Sequence, residues 1–253
     1  MPPASDGAFA AWLAAKVGEL LIELRESMGF DDPPALRAAG DKQAHDLLVT
    51  ELSRWRGADA VLSEEAAEDD PARLTAERVW IVDPLDGTRE FGEAGRTDWA
   101  VHVALWSRQA CGLVAGAVAL PALSQVISTD QIPARPGSAQ AGPIRLVTSR
   151  TRPPAFLPAL AREQGAELVP MGSAGAKIAA VITGEVDAYL HAGGQYEWDS
   201  AAPVAVAVAA GLHASRIDGS PLIYNKPDPS LPDLLVCRAD LAARLLSAVS
   251  QHS

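Results

Sequence analysis

Arg78-Val79-Trp80-Ile81-Val82 is an apolar run of strand length that leads directly into Asp83-Pro84-Leu85-Asp86-Gly87-Thr88, so two carboxylates must sit where a buried strand ends. Bare carboxylates beside a hydrophobic core are costly unless positive charge or hydrogen bonds compensate them. Pro84 fixes φ and removes a backbone donor. This predicts that the chain leaves the sheet at Asp83 and turns, aiming both acids and the Leu85 carbonyl at one point. Gly87 permits close backbone approach by a ligand, and Thr88 adds a hydroxyl. Two more acids extend the set: Glu64 in Val61-Leu62-Ser63-Glu64-Glu65, and Asp199 in Glu197-Trp198-Asp199-Ser200-Ala201-Ala202. With no Cys or His cluster nearby, these carboxylates form an oxygen-only donor set, which suits Mg²⁺, Mn²⁺ or Ca²⁺ rather than zinc.

A chain of 253 residues, 48% of them hydrophobic, can bury a substantial core as one large or two intimately packed domains. Its net charge of −11 argues against binding a nucleic-acid polymer, which requires clustered Lys and Arg. An anionic partner must be attracted locally, by cations and a few basic side chains. The N-terminus has no positive charge ahead of an apolar core, and no apolar stretch reaches membrane-spanning length. A soluble, cytoplasmic protein with no membrane association is expected. Cys111 and Cys237 both lie in apolar, strand-like runs and read as buried reduced thiols.

Phe9, Trp12, Leu13, Val17, Leu20, Leu21 and Leu24 fall at helical spacing, and a second helix is expected from near Asp41, with Ala44, Leu47, Leu48 and Leu52 on one face. Strands around 79–82, 99–105 and 112–120 follow with short connections, which predicts an antiparallel sheet. The Pro-, Gly- and Ala-rich segment Pro133 to Pro143 is the expected connection between an N-terminal α+β half, residues 1–140, and a C-terminal α/β half, residues 141–253. In the second half strands (144–149, 168–171, 188–190) alternate with helices (155–164, 174–183, 201–210), followed by a strand at 234–237 and a helix at 240–249. Such alternation predicts a largely parallel sheet.

The Asp-Pro-Leu-Asp-Gly-Thr run, the Glu-Glu upstream and the Trp-Asp-Ser-Ala-Ala downstream resemble the lithium-sensitive, magnesium-dependent phosphatases of the inositol monophosphatase superfamily, in order along nearly the whole chain. Thr88-Arg89-Glu90-Phe91, Gly172-Ser173-Ala174-Gly175-Ala176-Lys177 and Gly219-Ser220-Pro221-Leu222-Ile223-Tyr224-Asn225 look most like the 3′(2′),5′-bisphosphate nucleotidases, especially the actinobacterial form. The resemblance implies a mixed α/β, layered α-β-α-β-α sugar-phosphatase fold with the active site between the halves. It also implies two or three Mg²⁺ ions, for which Mn²⁺ can substitute, and a homodimer.

Residue by residue, the resemblance makes Asp83 the acid bridging two ions, Leu85 a carbonyl ligand of the first, and Asp86 and Asp199 ligands of the second. Glu64 is the upstream ligand by motif position. Glu65, with Glu68, Asp69 and Asp70, reads as a solvated acidic run. Thr88 and Asp41 correspond to the pair that orients and deprotonates the attacking water, with Glu64 helping to place it. Asp41 and Asp199 would each also serve as a helix N-cap. The Gly87 and Thr88 amides can hold a phosphoryl oxygen, and Arg89, Ser173 and Lys177 are further substrate-binding positions, with Arg150 and Arg152 as additional basic candidates. Lys177 reads equally as a solvated surface cation. Tyr196 and Trp198 read first as core filling and second as neighbours of a base.

The implied reaction is hydrolysis of the 3′-phosphate of 3′-phosphoadenosine 5′-phosphate, and of its sulfate-carrying relative, in sulfur assimilation. The alternatives are a broader phosphatase for fructose 1,6-bisphosphate or inositol phosphates, and an inactive phosphate-binding protein. Ala192 stands where inositol-specific relatives carry an acid that meets ring hydroxyls, which demotes inositol monophosphate. The segment from Asp31 to Gly40 departs from the Lys-containing hairpin of many relatives. Aspartyl-phosphate phosphatases need Asp-x-Asp-x-Thr, and Asp83 and Asp86 are one residue too far apart for that.

Overall fold

A computed structural model describes residues 1–66, 71–134 and 142–252. Helix α1 (Asp6–Met28) starts where the Ser5 hydroxyl accepts the Ala8 amide and ends at Gly29, whose φ of 64° favours glycine. Its stripe Phe9, Leu13, Val17, Leu21 is fully buried. Helix α2 (Pro33–Arg56) begins well before the expected Asp41. Asp32 caps it by accepting the Ala35 amide, and the two prolines after Asp32 occupy the first turn, where a missing N–H costs nothing. Asp41 is therefore an internal helical residue rather than a cap.

The first sheet, in the order β1-β2-β3-β4-β5, comprises β1 (Ala60–Ser63), β2 (Arg78–Asp86), β3 (Ala100–Ser107), β4 (Gly112–Leu120) and β5 (Gln125–Ser128). It is antiparallel except for the parallel pair β1 and β2. Contrary to expectation, β2 does not end at Asp83. Its pairing with β3 is interrupted between Asp83 and Asp86, around Pro84, and resumes with Asp86 opposite Ala100. An internal proline that cannot donate is accommodated as a bulge, a device that re-aims side chains.

A short helix α3 (Thr88–Phe91) follows β2. The second sheet has the order β7-β6-β8-β10-β9, from β6 (Arg145–Ser149), β7 (Glu167–Met171), β8 (Ala188–Tyr196), β9 (His213–Ser215) and β10 (Ser230–Cys237). Only β7, β6 and β8 are mutually parallel; β10 runs antiparallel to both β8 and β9, so the expected largely parallel sheet is mixed. The remaining helices are α4 (Leu157–Gln164), α5 (Ala174–Thr183), α6 (Glu197–Ala209) and α7 (Ala242–Val249).

Packing sorts these elements into five layers. Helices α1 and α2 cover one face of the first sheet, α5 and α6 lie between the sheets, and α4 and α7 cover the far face of the second. The chain thus has the α-β-α-β-α layering of a mixed α/β protein. Cys237 is buried, but Cys111 is exposed in the turn before β4, where its amide bonds the Arg108 carbonyl, so the expected buried pair of thiols is half right. Residues 135–141 of the expected connection lie outside the described residues. No helix among them is long and apolar enough to cross a membrane.

Candidate active site

The β2 bulge and the first turn of α6 bring the acids together. Asp83 is 1% exposed and accepts the Leu85 amide at 3.0 Å, which fixes the turn through Pro84. Asp86 Oδ2 accepts the Gly175 amide at 2.6 Å and the Ser173 hydroxyl, so two donors at the start of α5 hold it rigid and leave Oδ1 available. Asp199 sits in the first turn of α6, which starts four residues earlier than expected. Its carboxylate reaches back to accept the Tyr196 amide at 2.6 Å. It is thus a capping-box acid rather than the N-cap itself. One oxygen each of Asp83, Asp86 and Asp199 lie within 4.8 Å of one another.

Glu64 follows β1 in a turn, shares a hydrogen bond with Asp83 and lines the same cavity. Glu65 instead raises the carboxyl of Asp41 by its charge. Glu68, Asp69 and Asp70 lie outside the described residues. Burial first, and then Glu64, Asp86 and Asp199, hold the Asp83 carboxyl well above its usual range. Burial and Asp199 push Glu64 up to about 7, and burial and Asp86 push Asp199 up to about 7. A cluster of acids raised by one another is short of positive charge. Among the described residues, His102 is the one basic side chain within 4.0 Å of Asp83 and Asp86. Convergent oxygen donors, mutual repulsion and the absence of soft ligands fit a hard divalent cation, and the Leu85 carbonyl is a further oxygen at the same bulge.

Thr88 opens α3, with its hydroxyl 3.3 Å from Asp41 Oδ1 and 3.1 Å from the Leu85 carbonyl. Burial, and then the charge of Glu65, push the Asp41 carboxyl up to about 6. Gly87 has φ 86°, and a Cβ there would come within 3.1 Å of Ser173 Cβ, so both conformation and space demand glycine.

Glu64, Asp83, Leu85, Asp86, Gly87, Thr88, Ser173 and Asp199 line a cavity of about 770 Å³, and Asp41 reaches it only through Thr88. Lys177, Arg89, Arg152 and Tyr196 also line it. Lys177 is 5% exposed, which removes its reading as a solvated surface cation. Its ammonium donates to the Gly172 carbonyl at 3.0 Å, and burial draws its pKa down. Ser173 caps α5 by accepting the Ala176 amide, so its hydroxyl is engaged on both sides. Arg150 is held by Glu90 and Glu93 and is not among the cavity-lining residues. Tyr196 is 50% exposed and stacks on Trp198 at 4.7 Å, so only the second ring is partly packed against the core and the core-filling expectation fails for Tyr196.

Sequence reasoning passed over His102. It is fully buried on β3 opposite Asp83, and the available signal was a lone imidazole in the otherwise apolar run Ala100 to Leu105.

The inositol monophosphatase family model matches residues 8–253. A 3′-phosphoadenosine 5′-phosphate phosphatase of Mycobacterium leprae is 54% identical over 258 aligned positions, covering 98% of this chain and 94% of that protein. One of the same name from Mycobacterium tuberculosis is 56% identical, over 92% of this chain and 89% of its own length. The crystal structure of inositol monophosphatase II from Staphylococcus aureus has the same fold, with a TM-score of 0.79 at 21% identity, covering 96% of this chain and 95% of that one.

Proposed function

Because the chain belongs to the inositol monophosphatase family, we propose that it is a divalent-cation-dependent phosphomonoesterase that hydrolyses the 3′-phosphate of 3′-phosphoadenosine 5′-phosphate. The observation that carries the substrate is the 54% identity, across 98% of the chain, to a relative named for that reaction. The cavity supports it chemically. Acids line it, while Lys177, Arg89 and Arg152 offer cations for the second phosphate of a bisphosphate.

Glu64, Asp83, Asp86, Asp199 and the Leu85 carbonyl would hold Mg²⁺, in two or three ions, with Mn²⁺ as a substitute. Such ions neutralise a phosphoryl group and acidify water. The chain's own part is orientation and proton movement. The Thr88 hydroxyl lies within donating distance of Asp41, so in this reading it passes its proton to Asp41 as its oxygen accepts one from water in the cavity it lines. Asp41, pushed up to about 6, is largely ionised at neutral pH yet basic enough to take the proton that Thr88 passes on. Glu64, which lines the same cavity, would help to position that water. We further propose a cytoplasmic homodimer acting in sulfur assimilation.

Phosphate release from 3′-phosphoadenosine 5′-phosphate, fructose 1,6-bisphosphate and inositol 1-phosphate, with and without Mg²⁺, tests this reading. The expected result is Mg²⁺-dependent turnover that strongly favours the nucleotide. Comparable rates on all three substrates would remove the nucleotidase assignment, and turnover in chelator would remove the cation.

A further inference from the structure

His102 is fully buried at the meeting point of three elements that carry the site. On β3 it pairs with Asp83 of β2. Its Nδ1 lies 3.1 Å from the Trp198 carbonyl, which can only accept, so Nδ1 carries a proton and donates to α6 at the residue before Asp199. The opposite edge of the ring, Nε2, lies 3.3 Å from Asp86 Oδ2 but makes no hydrogen bond to it or to any other group among the described residues. The third element is α5. A Cβ on Gly175 would stand 2.0 Å from Nε2, so the absence of a side chain there is what lets the imidazole reach Asp86 beneath the helix start. An apolar residue of similar size would fill the space, yet it would leave the Trp198 carbonyl without this donor and Asp86 without this neighbour.

We propose that His102 is a positioning residue for the carboxylate cluster: Nδ1 fixes the first turn of α6 and hence Asp199, while the Nε2 edge packs against Asp86 Oδ2 and bounds the place where Gly175 and Ser173 hold it. One small ring thereby couples ligands that lie more than a hundred residues apart in sequence. The inference rests on the reading of these acids as cation ligands, and groups that orient such ligands typically contribute about 10- to 100-fold in metal affinity.

The test measures Mn²⁺ binding to the full chain without substrate, by the loss of the free-ion electron paramagnetic resonance signal. The variants are His102→Phe, His102→Asn, His102→Gln and Asp86→Asn. The amide nitrogen of Asn reaches roughly as far as Nδ1, and that of Gln as far as Nε2, so each restores one edge. The expected result is an affinity at least about tenfold weaker in His102→Phe with cooperative unfolding retained, partly recovered by each amide. Affinity within about twofold of the parent in a folded His102→Phe would overturn the proposal; so would the same in both amide variants where the phenylalanine variant does not fold. Weak binding in His102→Phe that neither amide improves would assign the effect to packing and also overturn it. Asp86→Asn separates the two levels. If it too binds Mn²⁺ normally, the cation reading itself fails, whereas loss in Asp86→Asn alone removes only the role of His102.

Discussion

Replacing Asp199 by Asn should stabilise the cation-free protein, the opposite of what removing a buried polar group usually does. Its oxygen lies within 4.8 Å of oxygens of Asp83 and Asp86. At an effective dielectric of 20, two like charges at that separation repel by about 3 kcal/mol, and the charge of Asp86 acts on Asp199 in this way. Burial and Asp86 raise its pKa from the ordinary 3.8 to about 7. The folded state therefore holds a proton that the unfolded chain has lost between about pH 4 and pH 7, and stability falls as pH rises through that window. Each group of this kind removes up to about 1.4 kcal/mol per pH unit. Asparagine stays neutral throughout, and its side-chain oxygen can still accept the Tyr196 amide, so the helix start is kept. Urea unfolding in chelator should show the variant about equal to the parent near pH 4 and about 2 to 4 kcal/mol more stable at pH 8. Saturating Mg²⁺ should narrow or close that gap, because the parent gains about 2.7 kcal/mol at a hundred times Kd and the variant loses most of that gain. A variant less stable than the parent at pH 8 in chelator, or one that gains as much from Mg²⁺, would refute the argument.

Asp41→Asn should lower kcat by about 10²- to 10⁴-fold with little change in unfolding. In the parent, kcat/KM should rise as Asp41 ionises near pH 6, and an acidic limb that persists in the variant would assign it to another group. Lys177→Met keeps the buried volume but removes one of the three cations that line the cavity, so KM for the bisphosphate should rise about tenfold or more while Mg²⁺ still stabilises the fold; unchanged KM would place the second phosphate elsewhere. Gly175→Ala improves helix propensity but drives a Cβ to within 2.0 Å of His102 Nε2, and a net loss of about 1 to 3 kcal/mol is expected on thermal unfolding. A stabilised variant would show that α5 does not press on the imidazole.

What could be read from the sequence was local. The helix from Ala174 to Thr183 is decided within a few residues and lies where the pattern put it, while the acids of β2 sit in a bulge inside the strand rather than beyond its end. The start of α2 was misread because paired prolines signal a loop, except directly after a capping Asp. The direction of β10 depends on partners elsewhere in the chain, which no local alternation reveals. Lys177 looks the same on a helical wheel whether its face meets water or a second layer, and only the packing of α5 between sheets decides. His102 carried no spacing to a partner, because its contacts arrive from Asp86 and Trp198 through register and layer stacking.

The proposed ligands come from the end of β1, from β2 and from the first turn of α6, so they meet only after the middle helices dock onto the first sheet. Until α6 docks, the set lacks Asp199, and closing it brings the acids together against their own repulsion. Bound cations then act as a late-closing clasp: they slow opening of the finished molecule and leave the rate of its formation nearly untouched.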